Sequence, residues 1–424
     1  MTNNNKQEAG WQPPPRPDWV ARINAEGRGM DIKSVVPLDE NSLLEHARSN
    51  TGLSDFGDEN WRDPFQVLVK SLDDEAELHL MGRLMARSEL LALLEQRLKI
   101  EDAYKQNPEI EDVEIVRPLT IVGQGRCGSS ALQNLLANDP DNNSLLHWQA
   151  YFPCPPPTAA TYETDPRIEL VHPRVTQISR ITPEIESSHE FGATLPIETP
   201  HIHAFSFRSA AFFAAYNGGG IPSYVEYMQS QDGALPFEYE KRVLKLLQWK
   251  NPRRYWVLKS PSLLLQLSDY LKVFPDVALV WIHRDPVKAL SSMVNHMGNV
   301  FSCRTDNPNF GEALKPFINA EAGSQMLNAS IDVLESGIIP EKTLCNVLYS
   351  DFIKDAVKVA ESIYDYFGLA MSDEARESMA SYMRDYPRSL RPKHNYDLGD
   401  AEQVREEREA YRRYQAYFGV PDEV

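Results

Sequence analysis

Between Asn41 and about Gln106 the apolar residues recur at helical spacing, most clearly Leu80, Leu84, Leu91, Leu94 and Leu98, and this spacing predicts a helical region. Before it, residues 1–40 are polar and interrupted by Pro13, Pro14, Pro15 and Pro17, a composition that predicts an extended or loosely docked arm. After it, PEIEDVEIV and then Pro118 stop the helical pattern, and a short apolar run, Leu119-Thr-Ile-Val122, ends in Gly123. Two runs of the same kind follow, Tyr255-Trp-Val-Leu258 and Ala278-Leu-Val-Trp-Ile282. Short unbroken runs predict strands buried on both faces, and their alternation with helical patterns predicts an α/β fold with a parallel sheet. The expected organisation is an arm over 1–40, a helical region over 41–114 and an α/β domain over 115–424. Within that domain, residues 140–250 are rich in proline and aromatics, including Pro153, Pro155, Pro156, Pro157, Phe205, Phe207, Phe212 and Phe213. That stretch reads either as a substrate-binding insert or as helical packing.

Composition narrows the partners. With 42% hydrophobic and 25% charged residues, the 424-residue chain is globular rather than disordered or fibrous. Forty-three Lys and Arg against sixty-one Asp and Glu leave a formal charge of -18, which disfavours nucleic acid and anionic membranes, so an anionic ligand requires a local basic pocket. Cys127, Cys154, Cys303 and Cys345 lie far apart without a C-x-x-C pair, which excludes a disulfide framework and a zinc ribbon and fits a reducing cytoplasm. The first twenty residues lack a secretory apolar segment and no run reaches about 18 apolar residues, so the expectation is a soluble protein without membrane insertion.

The chemistry concentrates at Gly123-Gln-Gly125-Arg126-Cys127-Gly128-Ser129-Ser130, directly after the first strand and before a helix whose apolar face is Ala131, Leu132, Leu135 and Leu136. Strand, glycine turn and helix form a phosphate cradle, because the unpaired N–H groups and dipole of the first helical turn favour an anion. A tight turn without a ligand is the plain alternative. Gly123-x-Gly125-x-x-Gly128 matches a dinucleotide fingerprint, but that reading needs an acidic strand end about 20 residues on. The region His147–Pro157 offers none. A Walker loop needs lysine after Gly128, where Ser129 stands, so a kinase or ATPase lacks its main cation. The third reading keeps the cradle and moves the cation to Arg126.

That loop resembles the 5′-phosphosulfate loop of the sulfotransferases, which use 3′-phosphoadenosine 5′-phosphosulfate (PAPS) as donor. A second match is Arg284-Asp-Pro-Val-Lys-Ala-Leu-Ser291-Ser292, an arginine at a strand end with a serine eight residues later; Asp285 is a good N-cap and Pro286 a good first helical residue. Trp256-Val-Leu-Lys259-Ser260-Pro261 is similar to the family's middle strand, Leu348-Tyr349-Ser-Asp351-Phe352 to its tyrosine-acid element, and Lys393-His394 to its basic C-terminal loop. The wider pattern, with Trp148, His189-Glu190 and Lys393-His394-Asn-Tyr396, is similar to the bacterial branch. Two positions depart from it, Gln149 where an acidic residue is usual and Cys127 where threonine is usual. The resemblance implies a P-loop-like central parallel sheet flanked by helices and a PAPS-binding set of Gly125, Arg126, Cys127, Gly128, Ser129, Ser130, Arg284, Ser292, Tyr349, Lys393 and His394. Arg284 and Ser292 would hold the donor's 3′-phosphate, and 3′,5′-bisphosphoadenosine would be the product.

Sulfuryl transfer is positioning and charge stabilisation, so it needs a donor cradle, a cation at the departing oxygen and a base for the acceptor hydroxyl, with no metal demanded. Lys259 and Arg126 are the candidate cations, with a structural ion pair the plain alternative for Lys259. In the family's cytosolic branch the base is a histidine two residues past this lysine, and here that position is Pro261. The candidates become His189, which titrates near neutrality, and Glu190 beside it. His201 and His203 give only a weak metal signal, and Cys127 at a helix start is a candidate thiolate. The expected function is sulfuryl transfer to a hydroxyl of a small, apolar acceptor. The alternatives are a nucleotide-dependent kinase and a catalytically silent phospho-ligand or protein-binding module.

Overall fold

The three apolar runs become the middle of the sheet. A computed structural model describes residues 11–217, 220–306, 318–387 and 397–424. Among them β1 (Leu119–Val122), β2 (Asn142–Ser144), β3 (Tyr255–Lys259), β4 (Ala278–His283) and β5 (Leu344–Leu348) form one sheet in the order β2-β3-β1-β4-β5, every neighbouring pair parallel. Alternation along the strands feeds two cores. Leu119, Ile121, Val257, Val280 and Ile282 pack on one side with the helices Ser129–Leu136 and Ala356–Phe367. Val122, Trp256, Leu258, Leu279 and Trp281 face the other side, against the helix Leu235–Gln248 and the C-terminal helix Arg412–Phe418.

β2 has no counterpart among the expected strands. It lies inside the 140–250 stretch and reads Asn-Asn-Ser, with no apolar run to announce it. Side chains hold this edge strand instead: Asn142 Nδ2 donates to Leu136 O (3.0 Å) and Tyr364 Oη (2.8 Å), and Ser144 Oγ to Val257 O (3.2 Å). The rest of the stretch is mainly helical. Its aromatics Phe207, Phe212, Tyr216 and Tyr224 enter a third core with Trp61, Phe65, Leu68 and Leu72 of the N-terminal region, so they are packing residues.

The N-terminal region is helical over Glu40–Thr51, Arg62–Asp74 and Leu80–Gln106. In the last of these the buried stripe is Met81, Met85, Leu90, Leu94 and Leu98, and Leu84 is exposed. The expectation of an extended arm over 1–40 is corrected for its second half. Asp18–Gly27 is a helix whose Val20 is fully buried with Met81, Met85, Ile181 and Cys303, and Asn24 Oδ1 accepts from Met81 N (3.2 Å). The prolines of the arm precede an amphipathic turn, and the burial of Val20 with Ile23 docks it. Among the described residues no helix is long and apolar enough to cross a membrane.

Candidate active site

Because all five strands are parallel, their C-terminal ends share one edge, and the residues that follow each strand meet there. After β1 comes the glycine loop. Gly128 adopts φ +102°, and a Cβ there would lie 2.6 Å from the Tyr349 ring, so only glycine fits. At Gly125 a Cβ would lie 1.8 Å from Met293 Cε, which keeps the loop backbone against the helix Pro286–Ser302. Arg126 is left-handed at φ +68°, a strained state for a residue with a Cβ and one that collects at functional sites. Arg284 Nη1 holds it by donating to Arg126 O (3.0 Å), and Arg126 Nε donates to Ser292 Oγ (3.1 Å). The first turn of the Ser129–Leu136 helix opens on the same edge.

Lys259 ends β3. Its side chain is 2% exposed, and Nζ donates to Ser130 Oγ (2.7 Å) and pairs with Glu198 Oε1 (2.7 Å). Residues 193–199 lie along the sheet edge through Trp148 N to Ala193 O (3.0 Å), Ile197 N to Leu145 O (2.8 Å) and Thr199 N to Lys259 O (3.0 Å), and the last bond sets Glu198 beside the lysine. Burial is the largest single influence and works to raise the Glu198 carboxyl, but the Lys259 charge and hydrogen bond, with the neighbouring His201 and His189, together hold the group below the usual carboxylate range.

Arg284 follows β4. Its Nε and Nη2 donate to Glu423 Oε1 and Oε2, both at 2.8 Å, and its guanidinium lies 4.4 Å from the centre of the Tyr349 ring. Asp285 caps the next helix by accepting from Val287 N (3.1 Å).

Histidines surround the Lys259–Glu198 pair. Burial, then the charge of Lys259, pushes His189 down to about 3, so its ring is neutral in ordinary buffers. That corrects the expectation of an imidazole titrating near neutrality: burial, and after it the neighbouring Lys259 cation, disfavour the imidazolium. His189 packs edge-on to Phe191 (4.7 Å) and lies 6.0 Å from His296 between ring centres. His147, pushed down to about 4 by burial, donates from Nδ1 to Leu195 O (2.8 Å). His201 donates from Nδ1 to Glu198 O (3.2 Å), and burial lowers it as well.

A glycine cradle with three cations at one sheet edge agrees with the outcome of comparison by family: the sulfotransferase family model matches residues 118–373, more than half the chain. The chain belongs to the sulfotransferase family. Among solved structures it resembles sulfotransferase STF1 from Mycobacterium tuberculosis H37Rv, with 28% identity and TM-score 0.70 over 88% of this chain and 98% of that one. It also resembles STF9 from Mycobacterium avium in fold, with 24% identity and TM-score 0.74 over 90% and 97% of the two chains. No curated protein matches the chain. Family and fold support an enzyme that transfers sulfate.

The edge brings together Gly125, Arg126, Gly128, Ser130, Lys259, Arg284, Ser292 and Tyr349, with His189 beside them. Cys127 stands apart. Its side chain is fully buried in the core beneath the loop and burial pushes the thiol up, which corrects the expectation of a reactive thiolate and leaves only its backbone at the loop. Ser129 is likewise buried. Glu190 is exposed. His203 takes a different partner from His201, bonding the buried Glu240 (2.5 Å), and no metal-binding group occurs among the described residues. Gln149, at the position where the family often has an acid, accepts from Leu146 N (3.0 Å) and so closes the start of the helix His147–Tyr151. Lys393 and His394 lie outside the described residues. The residue missed from the sequence is Glu198, whose neighbours Ile197 and Thr199 give no periodic signal; only the pairing of its segment to Lys259 reveals it.

Proposed function

We propose that the protein transfers the sulfuryl group of PAPS to a hydroxyl of a small apolar acceptor. The observation that carries this reading is the meeting of Arg126, Lys259 and Arg284 at the ends of β1, β3 and β4, where Arg284 bonds the Arg126 carbonyl, Arg126 bonds Ser292 and Lys259 bonds Ser130. Arg284, with Ser292, holds the 3′-phosphate, and the loop N–H groups with Arg126 hold the 5′-phosphosulfate. As the acceptor oxygen bonds to sulfur, the sulfur–oxygen bond to the 5′-phosphate breaks and its electron pair stays on the phosphate. Lys259 and Arg126 stabilise that charge. His189 takes the hydroxyl proton; the donor's anionic groups offset the two cations and so raise its basicity. Glu198 is a second base candidate, on the specific ground that its carboxylate already touches Lys259.

An apolar acceptor is supported by Phe191 beside His189 and by the partly buried Met293 on the Pro286–Ser302 helix. The test is transfer of labelled sulfate from PAPS to a panel of phenols, steroids and hydroxylated lipids. Melting with 3′,5′-bisphosphoadenosine, ATP with magnesium, or NAD separates the kinase reading, since a ligand at 100 times its Kd stabilises by about 2.7 kcal/mol. Stabilisation by the bisphosphate without transfer to any acceptor would leave a silent binding module.

A further inference from the structure

The fork of Arg284 is already engaged by this chain's own carboxylate. Nε and Nη2 each donate to one oxygen of Glu423 at 2.8 Å, while Nη1 donates to Arg126 O at 3.0 Å. A guanidinium presents a bidentate edge to one planar or tetrahedral anion at a time, and carboxylate and phosphate compete for it. We propose that Glu423 is a displaceable stand-in for the donor's 3′-phosphate, a tail residue that sets how tightly the site holds 3′-phosphorylated adenine nucleotides. The proposal rests on the reading of Arg284 given above.

Three features make the exchange feasible. The pair is only partly covered, with side chains 12% and 28% exposed for Arg284 and Glu423, so water can solvate each partner as it opens. Tyr349 lies beneath the guanidinium at 4.4 Å and keeps it in place when the carboxylate leaves. The tail backbone is fastened independently. Glu423 N donates to Asp285 Oδ2 (2.7 Å), Asp422 accepts from Arg408 (2.5 Å) and from Gln415 Nε2 (2.8 Å), and Arg408 Nη2 also pairs with Asp285 (3.1 Å). The Glu423 side chain can therefore swing out while this clasp holds. A phosphate near two negative charges outcompetes a single carboxylate for the same fork, whereas a 3′-hydroxyl does not. The tail thus penalises any nucleotide that needs the fork, and the penalty is the fraction of time the carboxylate occupies it.

The test is calorimetric titration of the full chain and its Glu423→Gln variant with 3′,5′-bisphosphoadenosine and with adenosine 5′-monophosphate. If the tail fills the fork about nine-tenths of the time, removing its charge tightens the bisphosphate about tenfold and leaves the monophosphate within twofold. Glu423→Asp, with a shorter reach, falls between. An unchanged or weaker bisphosphate affinity in Glu423→Gln, with the wild type still preferring the bisphosphate, overturns the tail's role alone. If neither protein prefers the bisphosphate to the monophosphate, the assignment of Arg284 to the 3′-phosphate fails and this proposal falls with it.

Discussion

The two ends of the cationic edge are built differently. At the inner end an ammonium, Lys259, is 2% exposed and touches one hydroxyl and one carboxylate oxygen. At the outer end a guanidinium, Arg284, is partly covered, backed by an aromatic ring and joined to a carboxylate by two parallel bonds. A buried point charge acts strongly on charge that develops near it but carries little shape information, while a planar fork reads the shape of the anion it meets. The inner end therefore suits stabilisation of a departing oxygen, and the outer end suits recognition of a phosphate.

The sharpest test of the inner end is the base. His189→Ala should lower kcat by about a hundred- to ten-thousand-fold with bisphosphate binding intact, while Glu190→Gln stays near wild type because that residue is exposed. Activity retained in His189→Ala but lost in Glu198→Gln would move the proton to the carboxylate. Because burial and Lys259 hold His189 at about 3, kcat/KM should keep its value as pH falls through 6.5. An acid limb centred there would remove His189 from that environment.

Next in size is Lys259→Ala, expected to cost about 100- to 1,000-fold in kcat at saturating donor with less than fivefold loss of bisphosphate affinity. Equal losses in both would erase the distinction between the two ends. Arg284→Ala should do the reverse, weakening the bisphosphate roughly 10- to 100-fold and the 5′-monophosphate hardly at all. Arg284→Lys should recover little, since an ammonium lacks the fork. Equal weakening of both nucleotides would make Arg284 a support of the strand end.

The remaining test is of stability rather than rate and concerns the strand beneath the outer end. His283, one residue before Arg284, accepts from Tyr414 Oη at Nδ1 and donates from Nε2 to Asn346 Oδ1, both at 2.9 Å, and burial pushes it down to about 4. An unfolded histidine titrates near 6.5, so between pH 6.5 and 4 the unfolded chain binds the proton and the folded one does not. Stability is then present above pH 6.5 and lost on acidification, with His283 and His147 each contributing on the order of 2–3 kcal/mol of that loss. Thermal melting from pH 7 to 4.5 should show the decline, and His283→Gln should flatten it. An unchanged slope in that variant would mean that His283 carries a proton in the folded state.

The sequence by itself determined the central strands, because Leu119–Val122, Tyr255–Leu258 and Ala278–Ile282 are apolar on both faces and parallel strands require that. It determined the cradle too, since a glycine turn between strand and helix has local causes, and the Asp285-Pro286 helix start likewise. Tertiary structure alone decided what lies opposite. β2 is polar and depends on side-chain bonds to Tyr364 and Val257; the aromatics near residue 210 became core because Trp61 and Phe65 needed partners. Cys127 turned inward beneath the loop. Glu198 and Glu423 reached Lys259 and Arg284 through contacts that span about 60 and 139 residues, and no local pattern encodes such a meeting. Local backbone preferences and periodic burial are written over a few neighbouring residues, whereas an ion pair between distant segments exists only once the sheet has brought its strand ends to one edge.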